Sequence, residues 1–283
     1  MTSYREWSRD DAVACIAVPV DSDDKYSRGV LGIVTGSKAY PGAAVLGVEA
    51  ALRTGVGMVR YLGPDRPSAL VLQRRPETVT EPGRVQAWLL GSGMDAARRA
   101  PAATRRLSDA LRQGVPTVLD AGALDLIHQA RGPVVITPHF RELARVLGVD
   151  AGQIANDPAA SAKIAADQLG VTVLLKGHLS YIAAPDGTSL TASTAPAWTA
   201  TAGTGDVLGG ILGALLATHA DEIATDDSVL ARLAATASVL HGLAAEEASG
   251  GGPFVVLDLA AAVQKVIARL LAIHDTRGSA ERQ

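Results

Sequence analysis

The chain has 283 residues, a formal net charge of −3, and 48% hydrophobic but only 4% aromatic content. That length suits one large α/β domain or two small ones, and the mild acidity provides no basic footprint for nucleic acid. A single cysteine, Cys15, excludes an internal disulfide and suits a reducing compartment.

The first twenty residues begin polar and charged, with no basic lead into an apolar stretch, so no secretory signal is read there. Short β-branched runs then alternate with alanine- and leucine-rich segments. GVLGIVTGS, from Gly29, predicts a strand, and GAAVLGVEAALRTG, from Gly42, a helix. GMVRYLG and VQAWLLGSG read as the next strands. A helix is predicted over 97–114, strands over PTVLDAG and PVVITPH, and helices over RELARVLG and AASAKIAADQLG. VTVLLKGHLSYIAAPDG reads as a strand with a hairpin return. Three helices dominate after Gly205, the last being LDLAAAVQKVIARLLAIH. The longest apolar window, Val207 to Ala217, is too short to span a bilayer, and a cytoplasmic location is expected.

Several of these strands are apolar throughout rather than alternating, as strands covered on both faces are. Strand–helix repetition with no Ser- or Pro-rich linker predicts an α/β fold: one doubly wound, largely parallel sheet in a single domain over 1–283. Residues 1–24 are expected as a lead-in and 275–283 as a disordered tail. In such sheets ligands bind beyond the carboxyl ends of the strands. The loops at that end are TGSKAYPGAA, GSGMD, DAGAL, TPHFRE, KGHLS and TAGTGD.

The P-loop pattern is absent, and GTGDVLGG misses the dinucleotide GxGxxG spacing by one residue. AGTGD nonetheless suits an anion site, because unpaired N–H groups at a helix N-terminus and the dipole behind them attract phosphate oxygens. Asp206 then stands where it can take the proton of a hydroxyl that attacks a phosphoryl group. A plain helix cap is the alternative, but a cap alone does not require two flanking glycines. Lys176 closes a strand at the rim, where it can meet a nucleotide phosphate. His139 and Glu142, three apart, share one face of an opening helical turn, with a surface cap as the other reading of His139. Asp120 reads as a rim acid or a turn residue. Asp125 and the arginines from Arg98 to Arg106 read as solvated helix faces.

In this order, GSKAYPGAAVLGVEAALRTGVGMV, GSGMD, VLDAGAL, TPHFREL, LLKGHLSYIAAPDG and TAGTGDVLGGILGALLA resemble the ADP-dependent NAD(P)H-hydrate dehydratases of the ribokinase-like superfamily. The resemblance runs from about Lys25 to about Leu243. It implies a three-layer αβα ribokinase-like fold and a repair reaction. NADH or NADPH hydrated at the 6 position, in its S form, is phosphorylated on that hydroxyl by ADP, and phosphate then leaves, yielding NAD(P)H and AMP. It assigns Asp206 as the base and a substrate contact, and Gly203, Thr204 and Gly205 as the anion hole and nucleotide contact. Lys176, Gly177, His178, Leu179 and Ser180 would hold the AMP portion. Ala43, Ala44, Gly93 and His139 would contact the hydrated dinucleotide, and Glu142 would hold magnesium through water. The chain departs from the family at Asp24-Lys25, where a His-Lys pair is usual, at Arg141, where glycine is usual, and in GSGMD. The resemblance also implies a homo-oligomer, with a tetramer as one form, and a separate NAD(P)H-hydrate epimerase as functional partner. An ATP-dependent kinase of a small alcohol, such as a vitamin precursor or sugar, is the alternative activity. A nucleotide-sensing regulator without turnover is a third reading.

Overall fold

In the strand Val30–Val34, Leu31 and Ile33 pack into one hydrophobic cluster and Val30 and Val34 into another, and all four are buried. The same division runs through Leu89 against Trp88 and Leu90, Val118 against Leu119, and Leu174 against Val173 and Leu175. Side chains that alternate across a sheet reach opposite faces, so two cores on one sheet require helices on both sides.

The computed structural model describes residues 3–193 and 195–280. Their strands are β1 (Arg5–Glu6), β2 (Val30–Val34), β3 (Met58–Tyr61), β4 (Ala87–Leu90), β5 (Thr117–Leu119), β6 (Val134–Ile136), β7 (Thr172–Leu175), β8 (Ser180–Ala183) and β9 (Ser189–Ala192). They form one sheet of order β1-β9-β8-β7-β6-β5-β4-β2-β3. Only the β7–β8 and β8–β9 pairings are antiparallel. The helices are α1 (Arg9–Val13), α2 (Gly42–Thr54), α3 (Asp65–Arg74), α4 (Pro101–Leu111), α5 (Phe140–Leu147), α6 (Ala151–Asn156), α7 (Pro158–Leu169), α8 (Thr204–Thr218), α9 (Ala220–Ile223), α10 (Val229–Ser249) and α11 (Val256–Ala280). Helices α2, α8, α10 and α11 cover one face, and α4, α5 and α7 the other. This is the three-layer ribokinase-like architecture.

Helix α8 explains its own composition. From Val207 to Ala217 every residue is buried, so no polar stripe is needed. A Cβ on Gly210 would lie 2.3 Å from the Gly47 carbonyl oxygen of α2, and one on Gly213 would lie 3.0 Å from Leu31. The glycines let α8 lie against α2 and the sheet at a spacing that larger residues would forbid.

Some elements differ from the sequence expectation. The expected lead-in contributes β1, which pairs parallel with β9, and Trp7 donates from Nε1 to Thr236 Oγ1 at 3.0 Å. Two exposed residues carry no periodic signal, so this strand exists by tertiary pairing. Helix α3 was not anticipated because it buries only Pro67 and Val71, and α6 buries only Ile154. Helix α4 starts at Pro101, four residues later than expected, since proline suits the first helical position. A 3₁₀ helix spans Ala121–Gln129. The segment expected as a tail is helical as far as Ala280, and 281–283 lie outside the described residues.

Candidate active site

Three strand ends converge. Asp120 follows β5, Thr137 and His139 follow β6, and Lys176 follows β7. A bridge pairs His139 with Lys176 just beyond the two strands, and the Lys176 N–H donates to the Pro138 carbonyl at 2.9 Å. Proline is tolerated there because only its carbonyl is used. Lys176 Nζ then donates to Asp120 Oδ1 at 2.8 Å, and the Thr137 hydroxyl donates to the same oxygen at 2.9 Å. The Asp120 side chain is only 5% exposed. A buried ion pair of this kind is held by good geometry and extra hydrogen bonds, since desolvation opposes it.

The GTGD turn faces this pair. Gly203 is the N-cap of α8, at φ +99° in the left-handed region that glycine tolerates, and it provides no side-chain cap. The Thr204 hydroxyl donates back to the Thr199 and Thr201 carbonyls, each at 2.9 Å, so it braces the turn. The Asp206 N–H is taken by the Gly203 carbonyl, whereas the Gly205 N–H meets no acceptor among the described residues. A Cβ on Gly205 would lie 3.5 Å from Lys176 Nζ, so the ammonium lies close over the first turn of α8. From the far side, His241 Nε2 donates to the Thr204 carbonyl at 3.0 Å. A carbonyl only accepts, which assigns the proton to Nε2.

Burial sets the electrostatics. It pushes the half-buried Asp206 carboxyl up to about 7, with the Asp120 charge adding to the shift and Lys176 opposing it. At Lys176, burial acts against the ammonium, but Asp120, Glu142 and Asp206 outweigh it and hold the group above its usual range. Burial brings His241 down to about 4, with the Thr204 carbonyl opposing the shift and Lys176 assisting it, so the ring is neutral at pH 7.

A cavity of about 700 Å³ opens beside these groups, walled by Lys176, Gly177, His178, Ser180, Thr204 and Gly205, with His139 at its edge and His241 at its back. Asp206 stands one residue beyond that wall. Leu179 lies on the other side of its loop, in a neighbouring open cavity of about 640 Å³ that shares Lys176 and His139. Gly203 packs against Leu46 and Val256. Gly93, at φ +67°, sits so close to α2 that a Cβ would meet that of Ala43 at 2.3 Å. Ala44 is fully buried beneath Gly36. His139 is a helix cap and also lines the cavity. Its Nδ1 accepts from the Glu142 N–H at 3.1 Å, and its own N–H donates to Glu142 Oε2 at 2.9 Å.

Asp120, read as a rim acid or a turn residue, stands at the strand-end rim and is the counter-ion of Lys176. One reading is corrected. Arg99 and Asp125, read as solvated, form a bidentate pair at 3.0 and 2.9 Å, with the Arg99 side chain 4% exposed. Arg105 and Arg106 are exposed as expected. His241 escaped the sequence reading, because one histidine in an alanine-rich helix is indistinguishable from a packed core residue.

The profile of the NAD(P)H-hydrate dehydratase family matches residues 31–265. A bifunctional NAD(P)H-hydrate repair enzyme of Mycobacterium tuberculosis is 42% identical over 219 residues, covering 73% of this chain and 45% of that protein. The chain thus spans less than half the length of these bifunctional relatives. An ADP-dependent (S)-NAD(P)H-hydrate dehydratase of Neisseria meningitidis is 35% identical over 216 residues, covering 70% of this chain and 72% of that one. Among solved structures, an ADP/ATP-dependent NAD(P)H-hydrate dehydratase of Bacillus subtilis, co-crystallised with ATP and Mg2+, superposes with a TM-score of 0.84. It is 25% identical, and the match covers 95% of this chain and 100% of that one. On these extended matches, the chain belongs to the NAD(P)H-hydrate dehydratase family.

Proposed function

We propose that the protein is an ADP-dependent (S)-NAD(P)H-hydrate dehydratase, a hydro-lyase that returns the S form of hydrated NADH or NADPH to the reduced nucleotide with release of AMP and phosphate. The observation that carries this reading is the Asp206 carboxylate on the first turn of α8, interacting with Lys176 and next to Gly205, whose N–H meets no acceptor among the described residues. ADP, as co-substrate, supplies the phosphoryl group that turns the ring hydroxyl into a good leaving group. Asp206 takes the hydroxyl proton as the new O–P bond forms and the bond to AMP breaks. A carboxyl brought near neutrality is matched to that task. The Gly205 N–H, the α8 dipole and the Lys176 ammonium face the charge on the phosphoryl oxygens. The ring nitrogen lone pair then expels phosphate, and loss of a neighbouring ring proton restores the dihydropyridine.

Lys176, Gly177, His178, Leu179 and Ser180, with Thr204 and Gly205, hold the AMP portion, while Gly203 shapes the turn. Ala43, with Ala44 behind it, Gly93 and His139 meet the hydrated dinucleotide. Magnesium fits these residues as a largely hydrated ion arriving with the phosphates. Three carboxylates, Asp120, Glu142 and Asp206, interact with the one Lys176 ammonium, and among the described residues no cluster of three His, Cys, Asp or Glu side chains forms a cage. Glu142 would hold it through water, and its charge would offset that of the phosphates. The unbroken sheet supports a single ribokinase-like domain over the described residues, and the family resemblance supports a homo-oligomer that works with an NAD(P)H-hydrate epimerase activity. Cys15, free and half-buried, suits the cytoplasm, and no described helix is long and apolar enough to cross a membrane.

Purified protein incubated with hydrated NADH, ADP and magnesium tests the reading. Return of the reduced-nicotinamide absorbance with one AMP per NADH is expected. A stable phosphorylated alcohol, or nucleotide binding without turnover, would overturn it.

A further inference from the structure

We propose that Asp120 is the positioning residue for the phosphate end of the site: it aims the Lys176 ammonium across the Gly205 amide, and is itself aimed by a turn that Arg99 clamps. The inference rests on the functional reading above.

Attraction of phosphate does not explain Asp120. A carboxylate at 2.8 Å helps keep the buried ammonium charged, but it also competes with an incoming anion for that ammonium, so charge alone does not account for so close a contact. What the carboxylate supplies is a fixed place. Asp120 Oδ1 is gripped by the Thr137 hydroxyl as well as by Lys176, and the Asp120 N–H is held by the Leu90 carbonyl at 3.0 Å. Lys176 has four rotatable side-chain bonds, and this contact selects the arrangement that brings Nζ close over Gly205.

The turn that follows is built to hold that geometry. Ala121, immediately after Asp120, sits at φ +45° and is the sole non-glycine described residue in the left-handed region. Such a conformation persists only where the surroundings impose it, and it marks functional turns. Two features impose it here. Gly91 leaves room, since a Cβ there would lie 2.3 Å from the Asp120 carbonyl oxygen. Arg99 closes over the turn, donating from Nη1 to the Gly122 carbonyl and pairing with both oxygens of Asp125. Arg99 belongs to the segment that also carries Gly93, so one guanidinium ties the dinucleotide side of the site to the residue that aims Lys176.

A group that positions rather than binds has a distinct kinetic signature. Asp120→Ala and Asp120→Asn are expected to lower kcat by about 10- to 100-fold through misplacement of the ammonium. ADP affinity, measured by calorimetry, should stay within about threefold of wild type or tighten, because Lys176 is released from its counter-ion. Arg99→Met should lower kcat in the same sense, and in the double variant with Asp120→Ala the losses should not multiply, since both act on one path. An ADP affinity that falls in step with kcat, or losses that multiply, would overturn the proposal. Should Asp120→Ala fail to fold, Asp120→Asn, which keeps the shape and one acceptor oxygen, carries the test. If wild-type protein does not turn over the hydrate, the functional reading fails. The calorimetry still decides the anchoring of Lys176: an ADP affinity within about threefold of wild type or tighter supports it, and a larger loss refutes it.

Discussion

Gly210→Ala is the most direct probe of how the two site-bearing helices are held together. A Cβ at 210 would stand 2.3 Å from the Gly47 carbonyl oxygen and 2.9 Å from Ala50 Cβ. Ordinary contact needs about 3.5 Å, so α8 and α2 must part by about 1 Å. Neither obstacle can swing aside, because one is backbone and the other is the first side-chain carbon. Alanine gains about 1 kcal/mol in helix propensity, whereas overpacking of a filled core costs about 1–3 kcal/mol and separates packed surface as well. The net expectation is a loss of up to about 2 kcal/mol. Gly213→Ala is the internal control: its Cβ would meet the Leu31 methyl carbons at 3.0 and 3.1 Å. A leucine tip yields more easily than a backbone carbonyl, so the propensity gain should roughly cancel the crowding there. Urea unfolding of both variants followed by far-UV circular dichroism reads the difference. Activity should fall further in Gly210→Ala, because α2 carries Ala43 and α8 carries Asp206 in their first turns. If Gly210→Ala were as stable as Gly213→Ala or more so, the argument for close helix packing would be refuted.

Asp206→Asn should abolish turnover while leaving ADP binding within about threefold, checked by product assay and calorimetry; near-normal rates would remove Asp206 as the base. With the Asp206 carboxyl pushed up to about 7, kcat for wild type should climb about tenfold per unit below that pH and level off above it. The folded state also holds this proton more tightly than the unfolded chain, whose value is near 3.8. Asp206 therefore lowers stability as pH rises from about 4 through 7, and Asp206→Asn should melt higher than wild type at pH 8. Glu49 has the opposite sign. Burial opposes its charge, but Arg75, Arg53 and Arg74 bring it down to about 2 from 4.5, so its contribution is complete above about 4.5 and fades as pH falls towards 2. Glu49→Gln should flatten the acid limb of a stability–pH curve over that window and cost about 1–3 kcal/mol at pH 7.

The layered class was legible because burying both faces of a sheet demands largely apolar runs, and Val30–Val34, Ala87–Leu90 and residues 173–175 supply them. The GTGD turn was legible as well, since glycines beside one carboxylate at a helix start have few structural uses. The pair Asp120–Lys176 was not, because 56 residues separate its members and no local period links them. Arg99 looked like any basic residue on a polar stretch until the 3₁₀ helix folded Gly122 and Asp125 against it. His241 reaches Thr204 only because α10 crosses behind α8.

What the sequence determined by itself was therefore the local and periodic part: most strands and helices, and the loop chemistry at the carboxyl ends of the strands. The tertiary structure decided which charges face one another and at what distance. Hydrophobic patterning acts along the chain over a few residues, whereas a buried ion pair, a raised carboxyl pKa or a clamped turn exists only once separate strand ends have been brought within a few ångströms and water has been excluded.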